Sequence, residues 1–290
     1  MDFSTLIPRA ALCLFLSSCQ PVPPAISPPP APAPMLGKEE PSHPASRTLR
    51  ESSSTPPPAP QESRPLARLQ ASRQSHGGKT FTLLSFEERR HELRLIDKAK
   101  GPDSSWTSAQ DAARSEKALA AINGGYFTPE GHPLGLLSVK GQRRGGMNHS
   151  SLGSAFYLAS PRAQLVSRDD FQQSPHSATE FLQSGPRLVW NGQALKGLSG
   201  DQERARSFLA WDGHHHWLIG HCESVSLREL ARLLATQPFS GFHVEKALNL
   251  DGGRSSDLWI SPSVPGGEFE CRAWWNKPVR NYLILREKSE

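Results

Sequence analysis

One stretch decides the fold of this chain and contains its candidate reactive carboxylate: Ala247-Leu248-Asn249-Leu250-Asp251-Gly252-Gly253-Arg254-Ser255-Ser256. An apolar run ends at an acidic residue and two glycines, which predicts a buried strand over 247–250 that opens into a turn. Consecutive glycines supply backbone angles that other residues resist, and they leave bare amides beside the carboxylate. The pattern therefore places an accessible carboxylate at the end of a strand.

A second turn of the same kind occurs earlier, where Asn123-Gly124-Gly125-Tyr126-Phe127 follows the apolar run 118–122. Neither turn is followed by the Gly-Lys-Ser/Thr of a phosphate-binding P-loop, and neither fits the dinucleotide pattern Gly-x-Gly-x-x-Gly. Each turn taken alone is more typical of a structural turn than of a binding site.

The rest of the folded region reads as many short strands with a few helices. The runs 80–85 and 91–97 predict a hairpin, and 207–211 with 217–221 predict another through Asp212-Gly213. Helices are predicted over 107–119 and, with Ser226 and Glu229 as a capping box, over 226–234. We expect an α+β fold: a single domain with a mixed, largely antiparallel β-sheet and two or three packed helices.

The first part of the chain carries export signals. Residues 1–19 have the order of an export signal, because Arg9 is followed by the apolar run 10–16 and then by small residues. Leu16-Ser17-Ser18-Cys19 resembles a bacterial lipobox, which predicts lipidation at Cys19. The alternatives are a plain secretory signal or a buried N-terminal strand.

A Pro- and Ser-rich segment over residues 20–77 predicts a disordered tether. Of the 26 prolines, fifteen fall within 20–66, where there is no aromatic residue, so this stretch lacks the apolar content to fold. Residues 78–290 are then the folded domain. Together these features predict an exported, membrane-anchored bacterial lipoprotein on the periplasmic or cell-surface face.

Composition excludes several other classes. No run reaches the roughly 18 to 20 apolar residues of a membrane-spanning helix, which rules out a polytopic membrane protein. The net charge of +5 is dispersed, and zinc-finger or RNA-binding patterns are absent, so no nucleic-acid partner is expected. The expected partners are a glycan or sugar phosphodiester and, through the lipid anchor, a membrane.

The cysteines and histidines leave alternatives open. After Cys19 only Cys222 and Cys271 remain, and they form either one disulfide or two independent buried thiols. The run His214-His215-His216 lies in a hairpin turn where adjacent side chains diverge, so no metal site is predicted. No cofactor is expected, with a bound calcium ion left open. His149, in a Gly-rich segment, is a candidate for acid-base chemistry.

Several motifs occur together in one order: 121–127, 183–189, Arg206-Ser207, the capped helix, 247–256 and 277–281. In this order they resemble the phosphodiester glycosidase family, related to an N-acetylglucosaminidase that acts on sugar-1-phosphodiesters. The resemblance covers about 79–285. It departs at Arg254, where the family commonly has glycine, which implies a smaller and more positive pocket beside Asp251.

The resemblance implies a hydrolase that cleaves the glycosidic bond of a sugar-1-phosphodiester, such as an N-acetylhexosamine, in a cell-envelope or extracellular glycan. The alternatives are a non-catalytic, envelope-anchored carbohydrate-binding protein on the same fold and a surface protein whose glycine turns serve only folding. Because the second pKa of a phosphate monoester is only about 6, protonating this leaving group helps little. The site then needs one carboxylate, for which we predict Asp251, and one cation, for which we predict Arg206.

The remaining candidates surround this pair. Asn123 is predicted to give an amide to a sugar hydroxyl or phosphate oxygen, and Tyr126 or Phe127 a stacking face, with core packing the simpler role for Phe127. Glu223 is the candidate second carboxylate. Ser255 and Ser256 are expected to orient Asp251 or to donate to phosphate. The predicted substrate-binding residues are Gly124, Gly125, Tyr126, Ser184, Gly185, Gly252, Gly253, Arg254, Ser255 and Ser256.

Overall fold

The computed structural model describes residues 69–173, 177–236, 238–239 and 241–288. The predicted export signal, Cys19 and most of the predicted tether lie outside these residues. Within the described part, three β-sheets and three short helices form the fold, and the strand pairs are antiparallel. No described helix is both long and apolar enough to cross a membrane.

The largest sheet has seven strands and carries most of the site. In spatial order they are β1 (Leu69–His76), β2 (Lys79–Glu87), β13 (His216–Val225), β12 (Arg204–Trp211), β14 (Lys246–Asn249), β10 (Arg187–Trp190) and β11 (Gln193–Ala194).

Two five-stranded sheets complete the β structure. The second sheet contains, in spatial order, β16 (Phe269–Cys271), β15 (Leu258–Ile260), β4 (Ala120–Asn123), β17 (Asn281–Glu287) and β3 (His91–Asp97). The third contains β6 (Gln142–Arg144), β5 (Leu137–Val139), β9 (Phe181–Ser184), β7 (Ala155–Leu158) and β8 (Gln164–Ser167).

The helices are short and peripheral. They are α1 (Ala109–Ser115), α2 (Arg168–Gln173) and α3 (Leu227–Thr236), with 3-10 turns at Ser151–Gly153 and Gly253–Ser255. In α3 the Ser226 hydroxyl accepts from the Glu229 amide at 3.2 Å, the cap that the sequence predicts. The predicted α+β class is confirmed, with strands predominating.

One core holds the three sheets together. Leu248 of the first sheet, Leu283 of the second and Tyr157 of the third are fully or almost fully buried in the same cluster. A separate cluster lies on the other face of the first sheet, where Leu230 and Leu234 of α3 pack among its side chains. Each such aliphatic side chain contributes about 1.5–3 kcal/mol on burial.

Two predictions about the start of the fold are wrong. β2 and β3 do not form a hairpin, because β2 pairs with β1 and β13 whereas β3 pairs with β17. Of the connecting residues, Glu88 is buried whereas Arg89 and Arg90 are exposed, and this short turn carries the chain from one sheet to the next. In addition, β1 forms within the stretch assigned to the tether. The polar composition of β1 is typical of an edge strand, and in the sequence it resembles that of a linker.

The two cysteines are free and buried. Cys222 belongs to the cluster under α3, and Cys271 belongs to the core between the sheets. The interpretation of two independent thiols therefore holds, and the disulfide does not form.

Strand directions bring the predicted site residues to one end of the sheets. β14 runs toward Asp251, and its neighbour β12 runs the other way, so that Phe208 pairs with Asn249 and Arg206 lies beyond that pair. In the second sheet, β4 ends at Asn123. The two glycine turns and Arg206 thus meet at the same end.

Candidate active site

The two glycine turns are hydrogen-bonded to each other. The Asp251 amide donates to the Gly124 carbonyl at 3.0 Å, and the Asn123 side-chain amide donates to the Asp251 carbonyl at 2.7 Å. The Asn123 side-chain oxygen accepts from the Asp257 amide at 3.0 Å. Asn123 is fully buried and its side-chain amide is used within the protein, so its contact with substrate stays a prediction. Asn123 positions the turn that carries Asp251.

The backbone amides of the first turn are also used within the protein. Gly124 donates to the Asn281 carbonyl at 2.9 Å, and Gly125 donates to the Asn281 side-chain oxygen at 2.8 Å. A Cβ at position 124 would lie 2.0 Å from that oxygen, which explains the glycine. Both amides are therefore satisfied by Asn281, and their contacts with substrate stay predictions.

Asp251 has the environment of a reactive carboxyl. It is partly buried, its Oδ1 accepts from the Gly252 amide at 2.9 Å, and it also bonds to the Ser255 hydroxyl. Burial raises the pKa of Asp251 to about 6, although both hydrogen bonds favour the charged form and lower it. Ser255 thus contacts Asp251, as one of its predicted roles requires.

Arg206 is a buried cation whose charge is not balanced by a carboxylate. Only 9% of its surface is exposed, and its hydrogen bonds go to the carbonyls of Val225 and Gln202, each at 3.3 Å. No acidic side chain of the described residues forms an ion pair with it, and burial lowers its pKa. Its Nη1 lies 3.4 Å from where a Cβ of residue 252 would stand. An anion beside Gly252 would supply the missing counter-charge.

The Tyr126 side chain is affected by the charges of both Asp251 and Arg206. Its hydroxyl donates to the Gly185 carbonyl at 2.9 Å and accepts from the Asn249 side-chain amide at 2.8 Å. Burial raises the pKa of Tyr126, the negative charge of Asp251 raises it further and the positive charge of Arg206 lowers it. The phenol therefore lies near both groups. Phe127 instead packs against the cluster around Trp259 and Tyr282.

Asn249 is a site residue to which sequence reasoning assigned no role. It is fully buried, its amide also reaches the Gly185 carbonyl at 3.1 Å, and its main-chain carbonyl accepts from Ser184 at 3.0 Å. Ser184 is likewise fully buried, and its hydroxyl joins the ends of two strands, so its contact with substrate stays a prediction. The available signal was a polar residue inside the apolar run Leu248-Asn249-Leu250.

His149 lies in a loop that Gln183 holds beside this end of the sheets. The Gln183 side chain accepts from the Leu136 and Asn148 amides at 2.9 Å and donates to the Asn148 and Gly153 carbonyls at 2.8 Å. His149 itself is exposed, and no hydrogen bond of the described residues joins it to Asp251 or Arg206. Its role in acid-base chemistry stays a prediction.

A cavity of about 800 Å³ opens beside the Asp251 turn, although neither Asp251 nor Arg206 lines it. Gly253, Arg254 and Ser256 line it from the turn, and the exposed Glu223 lines it from the end of β13. Four predicted residues therefore share this space. The Ser256 hydroxyl is buried and has no hydrogen-bond partner among the described residues.

The histidine run does not form a metal site. His215 Nδ1 lies 3.2 Å from Glu88, and His216 Nδ1 lies 2.8 Å from Asp212, so the two rings point to different partners. Across the described ranges, no three or more His, Cys, Asp or Glu side chains are grouped to hold a metal ion.

Comparison with known proteins decides the family. The model of the phosphodiester glycosidase family matches residues 116–286, which is more than half of the chain and includes both glycine turns. The chain belongs to the phosphodiester glycosidase family. No curated protein matches the sequence.

Similar solved structures were also found. The catalytic domain of zebrafish N-acetylglucosamine-1-phosphodiester alpha-N-acetylglucosaminidase, auto-inhibited by its pro-peptide, superimposes with a TM-score of 0.54 at 17% identity, over 76% of this chain and 82% of that one. A hypothetical protein from Synechocystis gives 0.49 at 16% identity, over 75% and 61%. A Burkholderia pseudomallei protein classed as exported gives 0.43 at 14%, over 71% and 74%.

Proposed function

We propose that this protein hydrolyses the bond between the anomeric carbon of a sugar and the phosphate of a sugar-1-phosphodiester. One observation carries the proposal: a partly buried carboxyl, Asp251, with its pKa raised to about 6, lies on the same turn that places Gly252 against the unpaired guanidinium of Arg206. Family membership independently favours this reaction class.

The chemistry fits one carboxylate and one cation. Water adds its oxygen to the anomeric carbon as the carbon–oxygen bond to phosphate breaks, and the phosphate monoester leaves with the bonding electrons. Arg206 holds the phosphate, whose charge grows as it departs, so the guanidinium stabilises the transition state more than the ground state. No strong general acid is required, because the monoester leaves without prior protonation.

Asp251 acts at the anomeric centre. As a carboxylate it either accepts a proton from the attacking water or stabilises positive charge on the sugar ring in an oxocarbenium-like transition state. The Tyr126 hydroxyl, which bonds to the Gly185 carbonyl and to the Asn249 side chain, lies near Asp251. Ser255 and the Gly252 amide hold the carboxylate in place.

The sugar is proposed from the relative. The zebrafish protein acts on an N-acetylglucosamine-1-phosphodiester, and we extend an N-acetylhexosamine to this chain on that basis. The natural substrate is then an envelope or extracellular glycan that carries such a phosphodiester. The test incubates purified protein with methyl N-acetylglucosamine-1-phosphate and measures free reducing sugar. Release by the wild type and not by Asp251→Asn supports hydrolysis; binding without release would indicate the carbohydrate-binding alternative.

We further infer that the protein is exported and anchored through Cys19. The support is the sequence Leu16-Ser17-Ser18-Cys19 ahead of a proline-rich segment. Acylation would attach the chain to a membrane, since a lipoprotein cysteine carries more than one acyl chain. Cys19→Ala should move the protein from the membrane fraction to the soluble fraction. Unchanged fractionation would contradict the anchor and leave the proposed reaction untouched.

A further inference from the structure

A second cavity, of about 320 Å³, lies at the end of the largest sheet that is opposite to Asp251. Its lining comes from the β2–β3 connection, from β3, from the turns that follow β7 and precede β13, and from the residue after β17. His215 lines this cavity at the start of β13, whereas Arg206 pairs with Cys222 farther along that strand. The extended chain between positions 215 and 222 spans about 20 Å, so the second cavity is separate from the candidate active site.

The carboxylates that line the second cavity are already paired. Glu88 accepts from Trp217 Nε1 at 3.1 Å and from Arg162 Nε at 3.3 Å. Glu92 lies 3.3 Å from the Arg94 guanidinium. A ligand in this cavity therefore meets no carboxylate that lacks a partner.

Two lining cations, in contrast, have no acidic partner. Within the described ranges no carboxylate forms an ion pair with Arg89 or Lys288, and both side chains are exposed at the cavity. Arg89 Nη2 donates to His215 Nε2 at 2.8 Å, so the opposite ring nitrogen of His215 carries the proton and donates to Glu88 at 3.2 Å. These bonds hold the Arg89 guanidinium in place. Two unpaired cations at one cavity favour an anionic ligand.

His91 adds a buried hydrogen-bond acceptor to the same lining. Only 6% of its surface is exposed, and its Nδ1 lies 3.3 Å from the main-chain carbonyl of Glu87. Because a carbonyl only accepts, Nδ1 carries the proton. Burial lowers the pKa of His91, so the ring is neutral at pH 7 and Nε2 is an acceptor. No described residue donates to Nε2, and a ligand with a proton to give would satisfy it.

Anionic groups differ in whether they have such a proton. The second pKa of a phosphate monoester is about 6, so near neutral pH it gains or loses one proton easily. A phosphodiester and a sulfate ion have none to give at this pH. One proton held between a phosphate oxygen and His91 Nε2 satisfies the histidine, while the other oxygens face Arg89 and Lys288. The volume leaves room for a small alcohol on the phosphate, since ligand pockets begin at about 300 Å³.

We propose that the second cavity binds a phosphate group with an exchangeable proton, as in a phosphate monoester or in inorganic phosphate. Arg89 and Lys288 balance the charge of this group, and His91 shares its proton. The site lies outside the proposed reaction, so the failure of one proposal leaves the other intact.

The first test compares ligands on the wild-type protein by calorimetry. Methyl phosphate and inorganic phosphate should bind, and dimethyl phosphate and sulfate should bind at least about tenfold more weakly. N-acetylglucosamine 6-phosphate distinguishes the sources: a lower Kd than that of inorganic phosphate assigns the site to sugar phosphates, and a higher Kd assigns it to free phosphate. Sulfate affinity equal to that of phosphate, or no binding of either phosphate, would overturn the proposal.

The second test locates the binding. Arg89→Gln and Lys288→Gln should each raise the Kd of methyl phosphate about three- to tenfold. Lys196→Gln, at an exposed lysine outside the cavity, is the matched control and should leave the Kd unchanged. Arg206→Gln removes the phosphate contact of the proposed reaction, and binding at the second cavity should persist in it. Unchanged affinity in both Arg89→Gln and Lys288→Gln, or loss of all phosphate binding in folded Arg206→Gln, would overturn the proposal.

The pH dependence tests the part of His91. A phosphate dianion that binds to a neutral ring takes up one proton, so its Kd should rise with pH. Besides the lining residues already named, the charged groups near the imidazole are Glu87, Arg90 and, on β17, Glu287. His91→Phe keeps a ring against Phe86, which contacts His91 edge-on. Between pH 6.5 and 8 the Kd should rise about tenfold for the wild type and less than about twofold for this variant. Equal pH dependence of the two folded proteins would overturn the proposal.

Discussion

The side-chain amide of Asn123 donates to the main-chain carbonyl of Asp251 over 2.7 Å, although the two residues are 128 positions apart. Asn123 ends a strand of the second sheet, and Asp251 follows a strand of the first. The bond therefore fastens two sheets together at the point where the carboxylate is presented. The position of the carboxylate therefore depends on both sheets being folded.

Asp251→Asn should reduce kcat about 100- to 1,000-fold with little change in substrate binding, because the amide preserves shape but removes the negative charge at the anomeric centre. The measurement is kcat and KM on a sugar-1-phosphodiester, with circular dichroism to confirm folding. Asp212→Asn, in the β12–β13 hairpin, is the matched control and should retain activity. A folded Asp251→Asn enzyme with near wild-type turnover would show that Asp251 is a structural turn residue.

The raised pKa of Asp251 predicts the acid side of the pH profile. Since the carboxylate is the active form and its pKa is about 6, kcat/KM should fall tenfold per pH unit below about 6. The profile is measured on a phosphodiester whose phosphate stays ionised throughout this range. Constant activity down to pH 4 would show that the charged form of Asp251 is not required.

The same shift predicts that Asp251 destabilises the folded protein at neutral pH. Its folded pKa lies above the unfolded value, so the folded state binds an extra proton between about pH 4 and 6 and wild-type stability rises as the pH falls through that window. Asp251→Asn removes the cost of the buried charge and should be more stable by up to about 3 kcal/mol at pH 7. Below about pH 4 the two proteins should converge. Urea unfolding at both pH values measures this; a variant less stable at pH 7 would contradict it.

Arg206→Lys keeps the positive charge but loses the planar fork that matches phosphate oxygens. We expect kcat/KM on a phosphodiester to fall. The loss should correspond to about 2 to 4 kcal/mol of transition-state stabilisation, with both binding and the transition state affected. A neutral aryl glycoside has no phosphate, so any activity on it should not respond to the change. Arg162→Lys, at a residue whose side chain is 59% exposed and paired with Glu88, is the control. Equal losses on both substrates would refute the assignment of Arg206 to the phosphate.

Gly124→Ala should destabilise the fold, because a Cβ there would stand 2.0 Å from the Asn281 side-chain oxygen and break its bond to Gly125. We expect a loss of about 1 to 3 kcal/mol in unfolding free energy. Gly146→Ala is the matched control, since a Cβ at Gly146 meets nothing within 4 Å, and it should change stability by less than about 0.5 kcal/mol. Similar denaturation midpoints for the two variants would contradict the steric argument.

Local patterns predicted the elements better than their partners. The cap of α3 and the β12–β13 hairpin follow from short-range rules, and the structure contains both. The β2–β3 pairing was wrong because distant partners, β13 for β2 and β17 for β3, decide which sheet each strand joins, and these partners do not show in the strands themselves. Likewise, β1 is a polar edge strand that its composition does not distinguish from a linker.

Residue type did not show how each candidate side chain is bonded. Arg206 lies beside the Gly252 turn that carries Asp251, whereas Asn123, Gly124, Gly125 and Ser184 bond to the protein itself. A sequence does not show whether an amide in a glycine turn is already satisfied by a residue such as Asn281, more than 150 positions away. The sequence also gave no reason to connect the Arg254 side chain with the main-chain carbonyl of Trp275, to which it donates.

The register of β1 determines the end of the largest sheet at which the preceding chain joins the domain. Leu69 pairs with Phe86 and His76 pairs with Lys79, while Phe81 pairs with Cys222 at the end of β13 that leads to the cavity beside the Asp251 turn. The chain thus joins the sheet at the end remote from Asp251. If residue 19 is fixed to lipid, the predicted tether enters the domain at this end, so the length of the tether and not the fold sets how far the reaction centre reaches from the membrane.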